Sequence, residues 1–306
     1  AEDGIRDSVA ARGLGDVYKR QHIKEAEIKV HYQPDPSTFN LSILFTSDVH
    51  GHVEKSSALA TLVSNLREDV RNSNLQGGSG FLLLDTGDQF IGTPFYSFYG
   101  PLVIADIMRE LKYDAVAIGN HDLEEVQKYG KNILQNYSQR GQFDLLGMNV
   151  HNTAGVHKST IKSFGSVRIG IIGYSTVYNY EIIFIATELV SEERHLRNDE
   201  GCKVIILLSH LGVEYDLKLP EKTMGTIDVI LGGHSHVLFG DQGTSTENSQ
   251  IFVPKSFPYC VLTNDGYKVP VAHAGYYGSH AGMLSLQFRK DIRWNLISAT
   301  GKATKQ

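Results

Sequence analysis

Several residue types are scarce in this sequence, and each shortage closes off a class of answer. Only two cysteines occur, Cys202 and Cys260, far apart in the chain. They could form one bridge but not the disulfide framework of a small secreted scaffold, so cysteine usage leaves the compartment open. No apolar run reaches the length needed to cross a bilayer. Basic residues are not in excess: 29 Lys and Arg stand against 34 Asp and Glu, for a net charge of −5. Without a basic cluster there is no electrostatic footprint for a nucleic-acid polymer or an anionic membrane surface. Internal repeats are absent, and the one low-complexity stretch is the short linker Gly77-Gly78-Ser79-Gly80.

What remains is an ordinary globular composition, 41% hydrophobic and 21% charged over 306 residues, enough for one large α/β domain or two small ones. The beginning of the chain is the exception. Asp16-Val17-Tyr18-Lys19-Arg20-Gln21 is the translation, in one frame, of a transposase adapter end used in sequencing libraries, and Ile5-Arg6-Asp7-Ser8 matches the same DNA in another frame. Residues 1–21 therefore read as a non-native, adapter-derived leader on an assembled environmental sequence, the alternative being a genuine polar tail. Residues 22–39 read as a lead-in to the domain that begins at Asn40.

From Asn40 onward, strands and helices alternate. Leu41–Val49 is an apolar, β-forming run, and Ser57–Arg71 carries Leu59, Leu62, Val63 and Leu66 at helical spacing. Phe81–Leu84, confined between breakers, predicts a buried strand leading into Asp85-Thr86-Gly87-Asp88. Helices are predicted over Pro101–Lys112, with Pro101 in the first turn, and over Glu124–Arg140, flanked by strands at Ala115–Ile118 and Asp144–Val150. A hairpin follows at Ile161–Phe164 and Val167–Ile172, then a charged helix over Glu188–Glu200, a buried strand at Val204–Leu208, a short helix at Leu217–Lys222 and a strand from Ile227. The stretch Ile251–Phe288 reads as alternating short strands. This order predicts an α/β fold with two central mixed sheets and helices outside.

Chemistry collects where the apolar strands end. The ends carry Asp48 and His50, then Asp88, then Asn120 and His121, then His210, then His234 and His236. In an open α/β sheet the crevice beyond the strand ends is where ligands bind, so residues scattered in sequence are expected to converge there. Each has a plainer reading: Asp48 as a turn former, Asp88 as a helix cap, Asn120 as a left-handed turn residue, His210 as a satisfied core histidine. In Leu231-Gly232-Gly233-His234-Ser235-His236, two imidazoles lie two residues apart, which on an extended chain puts them on one face, beside glycines that let the backbone turn closely. The set holds carboxylates, an amide and imidazoles but no thiolate, suiting Zn, Mn, Fe or Mg. It exceeds one tetrahedral ion; two ions about 3.5–4 Å apart, sharing a carboxylate, would use it fully.

The order Asp48-x-His50, Gly87-Asp88, Gly119-Asn120-His121-Asp122, Ser209-His210 and Gly233-His234-Ser235-His236 resembles the calcineurin-like metallophosphoesterase superfamily, and more closely the 5'-nucleotidase family within it. The connecting text at Leu83–Thr93, Leu111–Ala115 and Asn264–Val271 is similar too. The resemblance implies a four-layer α-β-β-α sandwich, a metallophosphoesterase catalytic domain over 40–290, and 291–306 as the start of a linker to a further, C-terminal substrate-recognition domain of the same protein. It implies that Asp48, His50 and His236 hold one divalent ion and Asn120, His210 and His234 another, with Asp88 bridging. It also implies that Asn120 and His121 face the substrate phosphate. His121 would serve the departing oxygen, oriented by a carboxylate three residues on; the family has aspartate there and this chain has Glu124. Ser47 stands where asparagine is more usual. The activity implied is hydrolysis of a small phosphate ester, a nucleoside 5'-phosphate above all, by a metal-activated water and without a covalent intermediate.

Other phosphoesterase activities (cyclic-nucleotide phosphodiesterase, UDP-sugar hydrolase) and a noncatalytic metal-stabilised binding module are the alternatives. Family members are commonly secreted or periplasmic, which points outside the cytoplasm. Trp294 and tyrosines such as Tyr96, Tyr178 and Tyr276 could stack a base, although scattered aromatics are more often packing groups. Sequencing across the native locus is expected to show no codons for residues 1–21; recovering them in the source DNA would restore a genuine N-terminal tail.

Overall fold

The computed structural model describes residues 37–74, 78–176, 180–240, 244–245, 252–290 and 294–306. The proposed leader, most of the lead-in and Tyr178 lie outside the described residues. Strands are β1 Thr38–Thr46, β2 Ser79–Asp85, β3 Ala115–Ala117, β4 Asp144–Leu146, β5 Val156–His157, β6 Ser159–Phe164, β7 Val167–Tyr174, β8 Val204–Ser209, β9 Val229–Gly232, β10 Val237–Leu238, β11 Thr244–Ser245, β12 Tyr259–Leu262, β13 Lys268–His273, β14 His280–Lys290 and β15 Trp294–Lys305. Helices are α1 Ser56–Asn74, α2 Pro94–Tyr99, α3 Pro101–Leu111, α4 Asn120–Tyr129, α5 Ile133–Gly141, α6 Ile182–Asn198, α7 Val213–Asp216 and α8 Leu219–Lys222.

Two mixed sheets result. One runs β15-β14-β1-β2-β3-β4-β5 and the other β12-β13-β9-β8-β7-β6, with β10 and β11 as a separate ribbon. Side-chain alternation turns them into layers. In β1, Phe39, Leu41, Ile43 and Phe45 point into a core shared with Val204, Ile206 and Leu208 of β8 and Ile169 and Ile171 of β7, so the sheets pack face to face. Leu44, Leu83 and Val116, on the opposite face of the first sheet, meet Leu59 and Val63 of α1 and Ile104 and Met108 of α3. Ile205 and Leu207 meet Ile185 and Leu189 of α6. The central strands are buried on both faces, which is why they read as continuous apolar runs. The order helix, sheet, sheet, helix is the four-layer arrangement expected.

Several boundaries differ from the sequence reading. The helix expected over Glu124–Arg140 is two, α4 and α5, because Gly130 takes φ 90° and stops the first. It also starts four residues earlier, at Asn120, where side chains face the crevice rather than a core and apolar periodicity is silent. The β4 strand ends at Leu146, short of Val150, and α6 begins at Ile182, before the charged stretch. Residues 294–305, expected at the start of a linker, form β15, antiparallel to β14 along its length. Trp294 packs edge-on against Phe39 at 6.3 Å, and Tyr96 is buried with its hydroxyl on Glu125 at 2.7 Å; both are packing groups. Cys202 and Cys260 are both free thiols.

Ile206 is fully buried between the sheets, so Ile206→Ala should destabilise the domain by about 2–5 kcal/mol. Urea unfolding, with the midpoint shifted and the slope unchanged, checks this.

Candidate metal centre

Every parallel strand of the inner sheets runs toward the same edge, and the loops beyond β1, β2, β3, β8 and β9 meet there. The chain turns sharply as it leaves each strand. Asp48 (φ 49°), His50 (φ 51°), Asp88 (φ 56°), His234 (φ 71°) and His236 (φ 50°) all sit in the left-handed region, which a side chain with a Cβ adopts at a cost of about 1–2 kcal/mol. Backbone bonds between neighbouring loops hold these turns: Asp48 N–H donates to Gly87 O at 3.0 Å and His50 N–H to Asp88 O at 2.9 Å. Thus His234 and His236 do not share the face of an extended chain, as their spacing suggests; two left-handed residues direct them into different groups.

Those groups are Asp48, His50 and His236, and Asp88, His210 and His234, each with one ligand atom per residue within 4.8 Å of the others. Asp88 Oδ2 lies 3.0 Å from His210 Nε2 and 3.8 Å from His50 Nε2, so one oxygen is within reach of both groups. Asp48 Oδ1 lies 3.6 Å from His236 Nε2. The outward ring nitrogens are spoken for: His50 Nδ1 faces the carbonyls of Phe90 and Ile91 at 3.2 and 3.1 Å, and His210 Nδ1 faces Thr86 O at 2.7 Å. A carbonyl only accepts, so each Nδ1 carries the hydrogen and each Nε2 is turned inward. His210 Nε2 is buried against Asp88 Oδ2, and His50 Nε2 meets His236 Nε2 at 3.2 Å. Imidazole nitrogens and carboxylate oxygens converging in a buried crevice are the environment a cation satisfies, and a divalent ion fits this set.

The electrostatics agree. Burial lowers His50, and lowers His234 and His236 to about 4, so all three are neutral and ligand-competent near pH 7. Burial raises Asp48 to about 6. It also pushes Asp88 up, but His210 outweighs it and holds that carboxyl below the usual range. Burial works against the His210 imidazolium, yet Asp88 lifts it to about 10. These carboxylates draw a proton onto the nitrogen for which a metal ion competes.

The first turn of α4 closes the crevice. Asn120 Oδ1 lies 3.1 Å from His234 Nδ1 and accepts from Thr176 Oγ1 at 3.3 Å. His121 N–H donates to Asp88 Oδ1 at 2.9 Å, and its Nδ1 is 3.0 Å from Glu124 Oε2, so the longer carboxylate reaches the ring. Ser47 donates its hydroxyl to Asp48 Oδ2. Gly119 admits no substitute, since a Cβ there would sit 2.0 Å from Asp88 Oδ1. All nine residues singled out from the sequence come together at this edge.

Asp122, Tyr276 and Tyr277 have roles here that the sequence reading did not give them. Asp122 accepts from the backbone N–H of Gly119, Asp88, Gln89 and Phe90 at 2.9–3.2 Å, tying the Asp88 loop to the start of α4. A carboxylate at the third position of a helix is half of a capping box, a signal present in the text. Tyr276 stacks on His236 at 5.0 Å, and Tyr277 N–H donates to Asp48 O at 2.8 Å; nothing local in the sequence marks these.

The family profile described as calcineurin-like phosphoesterase matches residues 41–238, from β1 to β10. A snake venom 5'-nucleotidase from Naja atra is 29% identical over 297 residues, covering 86% of this chain and 53% of the relative. A 5'-nucleotidase from Mus musculus is 30% identical over 302 residues, covering 88% and 49%. Among solved structures, a 5'-nucleotidase precursor from Thermus thermophilus superposes with a TM-score of 0.67 at 25% identity, covering 88% of this chain and 55% of that one. The chain spans about half the length of the curated relatives it matches. Because the matched segment carries every strand end that contributes to the crevice, the chain belongs to the calcineurin-like phosphoesterase family.

Proposed function

We propose that this chain is the catalytic domain of a dinuclear-metal phosphoester hydrolase that releases phosphate from nucleoside 5'-phosphates. One observation carries the reading: the inward ring nitrogens of His210 and His50 converge on Asp88, whose Oδ2 is within reach of both ligand groups. In the proposed assignment Asp48, His50 and His236 would hold one divalent ion and Asn120, His210 and His234 the other, with Asp88 within reach of both groups. The mixed oxygen and imidazole set suits Zn, Mn, Fe or Mg. When bound, two such ions supply a nucleophilic water near neutral pH and neutralise charge on the phosphoryl oxygens.

The chain's own groups do the remaining work. Glu124 holds the Nδ1 hydrogen of His121, which leaves Nε2 of a half-exposed ring free to stabilise or protonate the departing oxygen. The Asn120 amide, fixed at the first helical position, faces both the second ligand group and the phosphate. Nucleotides as substrates are supported by the names of the relatives. Since the chain spans about half their length, base selection is proposed to reside in a further domain of the whole protein.

Two mutations separate the roles. Asp88→Ala should lose bound metal and activity together, whereas His121→Ala should keep its metal and lose turnover by about 10²- to 10⁴-fold; metal analysis beside a chromogenic phosphate ester assay reads both, and equal metal loss would contradict the assignment. With Mn or Zn added, AMP should be hydrolysed and cyclic AMP and a UDP-sugar should not; the opposite order would favour a different phosphoesterase activity, and bound metal with no turnover would favour a binding module.

A further inference from the structure

Behind the second ligand group lies a polar cluster made of residues that are not themselves proposed ligands. Asp216, the last residue of α7, is completely buried. Its Oδ1 accepts from Ser209 Oγ at 2.5 Å, and its Oδ2 faces His273 Nε2 at 2.8 Å. Ser209 and His273 are themselves buried. Each closes a strand: Ser209 ends β8 and immediately precedes His210, and His273 ends β13, where it pairs with Gly232 at the end of β9, two residues before His234. Gly232 makes room for the pair, because a Cβ there would lie 2.1 Å from His273 Nε2 and 2.2 Å from Asp216 Oδ2. The other end of α7 is tied to the same loop, Val213 N–H donating to Ser235 Oγ at 2.9 Å, between His234 and His236.

A buried carboxylate costs folding free energy unless it is paired, and apolar groups of the same volume would fill this space as well. What apolar groups cannot do is fix direction. Two short bonds to one carboxylate lock the ends of β8 and β13 at a set distance, with β9 held between them. We propose that Asp216, with Ser209 and His273, is a positioning device that sets the spacing of His210 and His234 and so governs affinity at the second metal position rather than the first. The inference rests on the metal reading above. The cluster's side-chain bonds end on Ser209, next to His210, and on His273, paired with the strand end before His234, which is why the second position is the one it governs.

The test uses the full chain, stripped of metal and titrated with Mn(II), with bound ion per chain measured by equilibrium dialysis and metal-free thermal unfolding recorded alongside. Wild type should take up two ions. Asp216→Asn and His273→Leu should keep one at wild-type affinity and bind the second about tenfold or more weakly. His273→Gln, which retains a donor toward Asp216, should recover most of that loss, and Ser209→Ala, a milder deletion that keeps the chain folded should Asp216→Asn fail to fold, should show the same selectivity. Equal weakening of both ions, or two ions at wild-type affinity with only a lower Tm, would make the cluster purely structural and overturn the proposal. A wild-type chain that binds fewer than two ions would overturn the metal reading, and this inference with it.

Discussion

Two negative charges, Asp48 and Asp88, are held out of water at the strand ends, and the local structure is arranged around them. Both are essentially buried, both face imidazoles, and Asp88 additionally accepts the N–H of His121. A carboxylate in that position is tolerable only when donors or cations surround it. Fixed donors come from the backbone: His234 N–H donates to Asp48 Oδ1 at 2.9 Å, and the start of α4 supplies the bond to Asp88. Asp88 Oδ2 looks inward, toward the ring nitrogens of His210 and His50. That convergence is the chemical content of the site.

The loop backbone accepts strain to make this possible. Five of the ligand candidates occupy the left-handed region although none is glycine. Such turns persist because bonds between adjacent loops, and the four N–H groups gathered by Asp122, leave the chain no cheaper path. Beneath them the doubly packed strands form a rigid base whose inner faces interdigitate from Phe39 to Phe288. The result is a stiff frame with the candidate ligands on short loops.

Most of the layering was legible in the text. Val204–Leu208 reads as a doubly buried strand because it is one, and the alternation of strands with amphipathic helices leads directly to sheets covered by helices. Legibility fails where side chains serve the site instead of the core. The first turn of α4 was invisible to periodicity because Asn120, His121 and Glu124 face the crevice, and β15 reads as a linker because an edge strand needs backbone pairing more than an apolar face. The i, i+2 argument for His234 and His236 assumed an extended face where two left-handed turns stand.

By itself the sequence determined the kinds of ligand and their places at strand ends, because residue type and the boundaries of apolar runs are local properties. It determined the absence of thiolate chemistry at those ends for the same reason. Which nitrogen of each ring points inward, which carboxylate lies between the two groups, and which buried residues hold the strand ends apart were decided only by the tertiary structure. Those depend on contacts such as Thr86 with His210, Phe90 with His50 and Asp216 with His273, each joining residues dozens of positions apart. Separation of that kind leaves no mark in local spacing; it exists only once the two sheets have packed.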